Sequence, residues 1–299
     1  MYLAVREEAA DQPANPFKFY HYDPSKAGAI IVALLFLATT ALHFWQLFRA
    51  RCWFMLPLAI GGIFEFIGYA ARCKSGTESP DWTLGPYVTQ AMLLLVAPAL
   101  FAATIYMQLG RIILLLHGES RALIKKKWLT KIFVAGDVLS FVLQGGGGGY
   151  QSSGSLEALN NGATVIIVGL FVQLLFFGVF VVVAVAFILS IRRVPTAQSQ
   201  THLPIWRRHM FALCAGSLLI MVRSVFRVVE YLQGFDGYLL SHEPYLYVFD
   251  AVLMFLVMAL FNYIHPSEVA GLIAEEDRQV KMGILPDNGY HARLDSEYR

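Results

Sequence analysis

Seven stretches of bilayer length, 27–48, 53–71, 86–110, 131–149, 162–191, 210–232 and 245–264, are almost wholly apolar and leave this chain little freedom. A backbone that enters hydrocarbon must satisfy its own N–H and C=O groups, so runs of this length predict transmembrane helices. Composition agrees, with 57% hydrophobic and only 15% charged residues, against roughly 25% charged in soluble domains. A soluble enzyme, a disordered chain and a disulfide scaffold are excluded. The expected fold class is all-α, a polytopic bundle of seven transmembrane helices over 27–264, with an N-terminal segment 1–26 and a tail 265–299.

Lys and Arg predict the orientation, because cytoplasmic loops collect them and acidic residues count for little. The N-terminal segment and the loops on its side carry five (Arg6, Lys18, Lys26, Arg72, Lys74), the opposite side carries sixteen, and Arg223 and Arg227 fall inside the sixth span. The expected N-terminus is therefore outside and the C-terminus cytoplasmic. The polar first 26 residues, with Pro13, Pro16 and Pro24, offer no cleavable signal, so the first span is expected to serve as its own insertion signal. Trp45, Trp53, Trp82, Trp128 and Trp206 are expected at the interfacial belt, and the tail beyond Pro266 as a solvated segment.

Several chemistries lack their residues. No nucleotide-binding G-x-x-x-x-G-K-[ST] occurs, the last span has no Schiff-base lysine, and only His43 of the eight histidines lies well inside a span. No catalytic residue, metal site or cofactor is expected, nor a nucleic-acid partner. His43 reads as a packed imidazole.

Ionisable groups inside spans are costly and need a partner or a wet cavity. Glu65, Tyr69 and Arg72 at i, i+4 and i+7 put an acid, a phenol and a cation on one helical face, and Arg223, Arg227 and Glu230 repeat that spacing in span six. Span four adds Asp137, Ser140 and Gln144, span three Tyr87 and Gln90, span five Gln173, and span seven Tyr247 and Asp250. With the expected topology, Glu65, Tyr69, Tyr87, Gln90, Gln144, Arg227, Glu230 and Asp250 fall in the outer half and are the candidate substrate-binding residues of one polar cavity. Arg72, Asp137 and Arg223 are the candidate structural ion-pair residues. Four acids (Glu65, Asp137, Glu230, Asp250) face three cations, which leaves one carboxylate to protonate or to bind a cation such as a substrate amine. Salt bridges that merely hold the bundle in register remain the alternative. The run Gly145 to Gly149 reads either as a cavity wall or hinge or as close helix packing, and Pro98 as a kink or a broken hydrogen bond in span three.

Motifs in order carry a resemblance: Glu65-Phe66-Ile67-Gly68-Tyr69-Ala70-Ala71-Arg72, Tyr87-Val88-Thr89-Gln90, Ala97-Pro98, Tyr106, Arg111, Asp137 and Gln144-Gly145-Gly146. Gly169-Leu170-Phe171-Val172-Gln173, Arg223-x-x-Phe226-Arg227-x-x-Glu230, Glu243, Tyr247, Asp250 and His265-Pro266 continue it. Over about 35–266 the chain resembles the fungal lipid-translocating exporter family, RTA-like after resistance to aminocholesterol. The resemblance implies export or transbilayer movement of amphipathic lipids or toxic amphiphiles, sphingoid long-chain bases being the best-known class, at the plasma membrane. A seven-helix receptor or regulator of lipid or stress response, without transport, is the alternative.

Overall fold

The structure, a computed structural model, describes residues 20, 22–79, 81–151, 156–234 and 237–284. The apolar runs form α1 (Lys26–Ala50), α2 (Leu56–Thr77), α3 (Leu84–Leu115), α4 (Lys126–Gln151), α5 (Leu156–Arg193) and α6 (Leu203–Leu232). The seventh helix, α7, joins Glu243–Leu246, a π-helical turn at Tyr247–Val252 and Leu253–Tyr263. Seven helices are long and apolar enough to cross a membrane, and no strand occurs among the described residues. The protein is an all-α integral membrane protein.

The end of the bundle where α1 begins is termed proximal and the end where α1 finishes distal. Ser25 caps α1, its hydroxyl accepting the Gly28 N–H at 3.2 Å. The Ser25 N–H donates to the Glu243 carboxylate at 2.9 and 3.1 Å, which ties the start of α1 to the start of α7. Helix α3 is central: it touches α2, α4, α5 and α6, while α7 packs against α1 and α6 and closes the bundle.

Small residues set the closest approaches, as membrane packing requires when hydrocarbon gives no hydrophobic drive between helices. On α2, a Cβ at Gly61 would lie 2.6 Å from the Phe101 ring and one at Gly68 2.7 Å from Leu94, so this face of α2 lies tight against α3. The glycine run serves close helix packing at Gly147. Helix α4 continues through it, and a Cβ at Gly147 would lie 2.7 Å from the Gly162 carbonyl oxygen on α5. Gly146 and Gly148 face open space.

Three expectations are corrected. The segment after Pro266 is no solvated tail throughout: Ser267–Lys281 forms a helix, α8, whose Val269 and Ile273 are buried and which packs on α3. Its apolar residues are few among charges, yet Val269, Ile273 and Val280 share one helical face. Glu268 pairs with Arg208 and with His209, the latter at 2.9 Å, and Glu276 with His117 at 2.8 Å, which secures α8 at the distal end. Trp206 is no belt residue; it is buried, its indole N–H donating to the Ser199 carbonyl at 2.9 Å. Trp45, Trp53 and Trp128 are exposed on the outside of the bundle. Helix α6 starts at Leu203, seven residues before the apolar run that begins at 210, and takes Arg207 and Arg208 into its first turns.

The two kinds of glycine in α4 predict opposite results. Gly147→Leu has backbone in its way and should destabilise by about 1–3 kcal/mol or more, whereas Gly148→Ala should be neutral or add up to about 1 kcal/mol. Thermal unfolding of the purified protein, followed by loss of the monodisperse elution peak, reads both; equal melting of the two variants would refute the packing assignment.

Candidate functional site

Helix α2 carries Glu65, Tyr69 and Arg72 on the face turned into the bundle, and all three are at most 1% exposed. Arg72, nearest the proximal end, pairs with Glu243 at 2.7 Å and donates to the Tyr22 hydroxyl at 2.9 Å. The rings of Tyr20, Tyr22 and Tyr247 surround its guanidinium at 5.8, 5.6 and 5.5 Å. A cation held by one carboxylate and three aromatic faces is fully compensated without water. Tyr20 in turn donates to the Gln90 side-chain oxygen at 3.0 Å and meets the Tyr87 ring edge-on at 5.4 Å. Burial raises both the Tyr20 and Tyr22 phenols above their ordinary value, outweighing the pull of Arg72, so both act as neutral hydrogen-bonding groups.

These residues form one wall of a cavity of about 90 Å³ at the proximal end. The opposite wall comes from α6, where Arg227 and Glu230 pair at 2.6 Å across one helical turn, and from Tyr231. Leu239, Leu240 and Leu246 supply an apolar side. The volume is far below the roughly 300–1,000 Å³ of a pocket that encloses a whole drug-sized ligand. It accommodates a polar head group and no lipid tail.

Deeper in the bundle lies a second layer. Arg223 pairs with Asp250, and its other nitrogen donates to the Leu94 carbonyl at 2.6 Å. That carbonyl is the one whose helical partner would be the N–H of residue 98, which is proline and has none. The cost of Pro98 inside α3 is thus met by Arg223. Tyr69 donates to the other Asp250 oxygen at 3.3 Å. The π-helical turn inserts an extra residue into α7 around Asp250, a device that re-aims side chains at functional positions. Glu65 shares this layer, is fully buried, and neither of its carboxyl oxygens has a hydrogen-bond partner among the described residues.

The structure thus brings Tyr87, Gln90, Arg227 and Glu230 to the cavity wall and sets Glu65, Tyr69 and Asp250 beneath it. Gln144 does not join them. It donates to Ser140 at 2.6 Å and to the Gln173 side-chain oxygen at 3.2 Å, within the α4–α5 contact. The polar face of α4 turns to α5, where the absence of a side chain at Gly169 lets Ser140 donate to its carbonyl at 2.7 Å. Asp137 is no ion-pair residue either. It accepts the Tyr106 hydroxyl at 3.0 Å, among the rings of Phe133, Phe177 and Phe180 that pack on Tyr106. Because Glu243 takes Arg72, two of the four acids counted from the sequence, Glu65 and Asp137, have no paired cation among the described residues, rather than one. His43 is packed, its Nε2 3.0 Å from the Met258 carbonyl. Among the described residues no group of His, Cys, Asp and Glu has a metal-binding arrangement.

Sequence reasoning missed Tyr20, Tyr22 and Tyr231 as lining residues. The signal was present for the first two: paired tyrosines directly before an apolar run, in a segment otherwise read only for its charges and prolines.

Residues 58–272 match the family model described as RTA1 like protein. The chain is 34% identical to Protein RTM1 of Saccharomyces cerevisiae, covering 84% of this chain and 92% of that one. It is 37% identical to Protoporphyrin uptake protein 1 of Saccharomyces cerevisiae, covering 82% and 91%. More distant relatives include Probable lipid transporter atnI of Emericella nidulans, at 28% identity over 89% of this chain and 72% of the relative. Sphingoid long-chain base transporter RSB1 of Saccharomyces cerevisiae is 26% identical over 76% of this chain and 67% of the relative. No solved structure matches. A family model spanning most of the bundle, and relatives above 30% identity over most of the chain, place this protein in the RTA1-like family.

Proposed function

We propose that the protein moves amphipathic lipids or lipid-like toxic amphiphiles out of the membrane and is a transporter rather than an enzyme. The cavity carries this reading. It lies within the membrane-crossing bundle, it is large enough for a head group alone, and its walls combine tyrosine faces with the Arg227–Glu230 pair. A head group carrying an amine finds an acid at Glu230 and aromatic faces at Tyr20, Tyr87 and Tyr231, while its tail stays in lipid. The names of the relatives, a lipid transporter, a sphingoid long-chain base transporter and a protoporphyrin uptake protein, agree with amphiphiles as the substrate class.

In this reading the proximal end faces outward and the membrane is the plasma membrane. The sidedness of Lys and Arg, five against sixteen, supports the orientation. Single cysteines introduced at 237–243 of a cysteine-free variant should react with an impermeant maleimide on intact cells, and those at 196–204 only after permeabilisation. The reverse pattern would turn the cavity toward the cytoplasm and end the export assignment.

Glu230→Gln removes the acid and keeps the shape. At matched surface level, cells expressing this variant should release a labelled long-chain base no faster than cells without the protein, whereas the wild type releases it severalfold faster. Equal release in all three would move the assignment to a receptor or regulator of lipid response.

A further inference from the structure

The cavity wall and the buried layer beneath it together contain three acids and two cations. Asp250 is held by Arg223 and Glu230 by Arg227, and Glu65, fully buried and without a hydrogen-bond partner at either oxygen, is held by neither. The groups facing Glu65 are few. Helix α6 contributes Arg223 and Arg227, α7 contributes Asp250, and its own helix contributes Tyr69. The neighbouring turns of α2 pack on Leu94 and Phe101 of α3 and on Phe36 and Thr40 of α1, of which only the Thr40 hydroxyl is polar. With all five charged groups ionised, wall and layer together would hold one uncompensated negative charge in a low-dielectric region. Such a charge is removed either by a proton or by a cation.

We propose that Glu65 is the coupling site, at which one bound proton is exchanged for one cationic head group, so that the protein is a proton–amphiphile antiporter. This rests on the reading that the cavity accepts an amphiphile head group. The step balances: the head group enters as a single positive charge, the O–H bond of the Glu65 carboxyl breaks, the proton leaves to water, and the layer keeps the same net charge. The cation need not displace Arg223 or Arg227. It enters the cavity beside Glu230, and the field of its charge replaces that of the proton one layer below.

Two features of the fold suit Glu65 to this task. Its distance from the cavity wall is bridged by groups already in place, Arg227 and Glu230 at the wall and Arg223 and Asp250 below. On its distal side, Ser217 on α6 and Gln108 on α3 are buried with side-chain polar atoms that have no internal partner. By helix rise these lie about 9 Å beyond Arg223 and about 21 Å beyond Leu94, so polar groups that accept a proton or a water continue toward the other face of the membrane. Asp137, the second acid without a cation, is bonded to Tyr106 and belongs to the α3–α4 contact instead.

Linkage gives the sign. Binding that releases a proton strengthens as pH rises, by about tenfold per pH unit while Glu65 holds its proton in the unbound protein, and becomes flat once it no longer does. The probe is a fluorescent hexadecyltrimethylammonium analogue, whose charge is fixed, so that any pH dependence belongs to the protein. Bound to the purified full-length chain in uncharged maltoside micelles, it should show this slope with the wild type and with Glu65→Asp. Glu65→Gln should bind with the weak affinity of the wild type at low pH, independently of pH. In weakly buffered solution the wild type should release one proton per probe bound, which decides the matter even if Glu65→Gln fails to fold. Saturable binding with no proton released, or with the same slope in Glu65→Gln, would overturn the antiport inference and leave the cavity assignment standing. Absence of saturable binding by the wild type would remove both.

Discussion

Arg223 bonds directly to two other helices, α7 and α3, and through Asp250 to a third, α2, and the arrangement of the bundle follows from what it satisfies. Its ion pair with Asp250 fixes α7 against α6, and Tyr69 fixes α2 to the same carboxylate. Its bond to the Leu94 carbonyl compensates α3 for the hydrogen bond that Pro98 removes. An orphaned carbonyl in hydrocarbon is worth several kcal/mol, and an arginine without an acid costs more. Each of these groups is tolerable only because the other is present. Proline, arginine and aspartate, on three different helices, are therefore one structural device.

That device divides the molecule into two kinds of polar structure. In the α3–α4–α5 sector the polar side chains of α4 are spent within the sector: Asp137 on Tyr106 of α3, Ser140 on the Gly169 carbonyl of α5, Gln144 on Ser140 and on Gln173 of α5. Glycines at 147 and 162 bring the two backbones into contact there, and these α4 side chains are occupied with their helix neighbours. In the α2–α6–α7 sector the pairs are made at different depths, Arg72 with Glu243, Arg227 with Glu230, Arg223 with Asp250, and their spacing leaves the cavity between them. Charged pairs are long and packed by aromatic rings, so helices bearing them stand farther apart than helices in glycine contact.

Much of this was legible in the residues. The apolar runs give seven helices because only helices and closed barrels satisfy their backbone in lipid, and runs of about 20 apolar residues are twice the length of a barrel strand. The i, i+4, i+7 spacing of Glu65, Tyr69 and Arg72 was enough to put all three on one buried face, since helical periodicity is local. Which acid meets which cation was not legible, because it depends on the register between helices. Glu243 lies outside the apolar run, where a count of membrane charges does not reach, yet it is the partner of Arg72 and of the Ser25 amide. Gln144 was assigned to the cavity by depth alone, whereas the direction in which α4 turns its polar face decides its neighbours. Helix α8 escaped notice because Val269 and Ile273 are a sparse stripe that only its packing partner, α3, makes meaningful.

The smallness of the cavity bears on how an amphiphile can pass. A site that enclosed the whole molecule would have to open and close around a tail, and the bundle would need a void of several hundred cubic ångströms. A head-group site at one end of a lipid-facing bundle needs only to shield one charge, because the tail never leaves hydrocarbon. The barrier to be lowered is then electrostatic rather than steric, and it is lowered by fixed partners: tyrosine faces, a paired acid, and beneath them one carboxyl group that no arginine neutralises. An unneutralised acid is a poor choice for holding helices together, since an apolar residue of similar size would do so without the burial penalty. Its presence at the centre of the α2 face is intelligible where the missing charge is supplied from outside the protein.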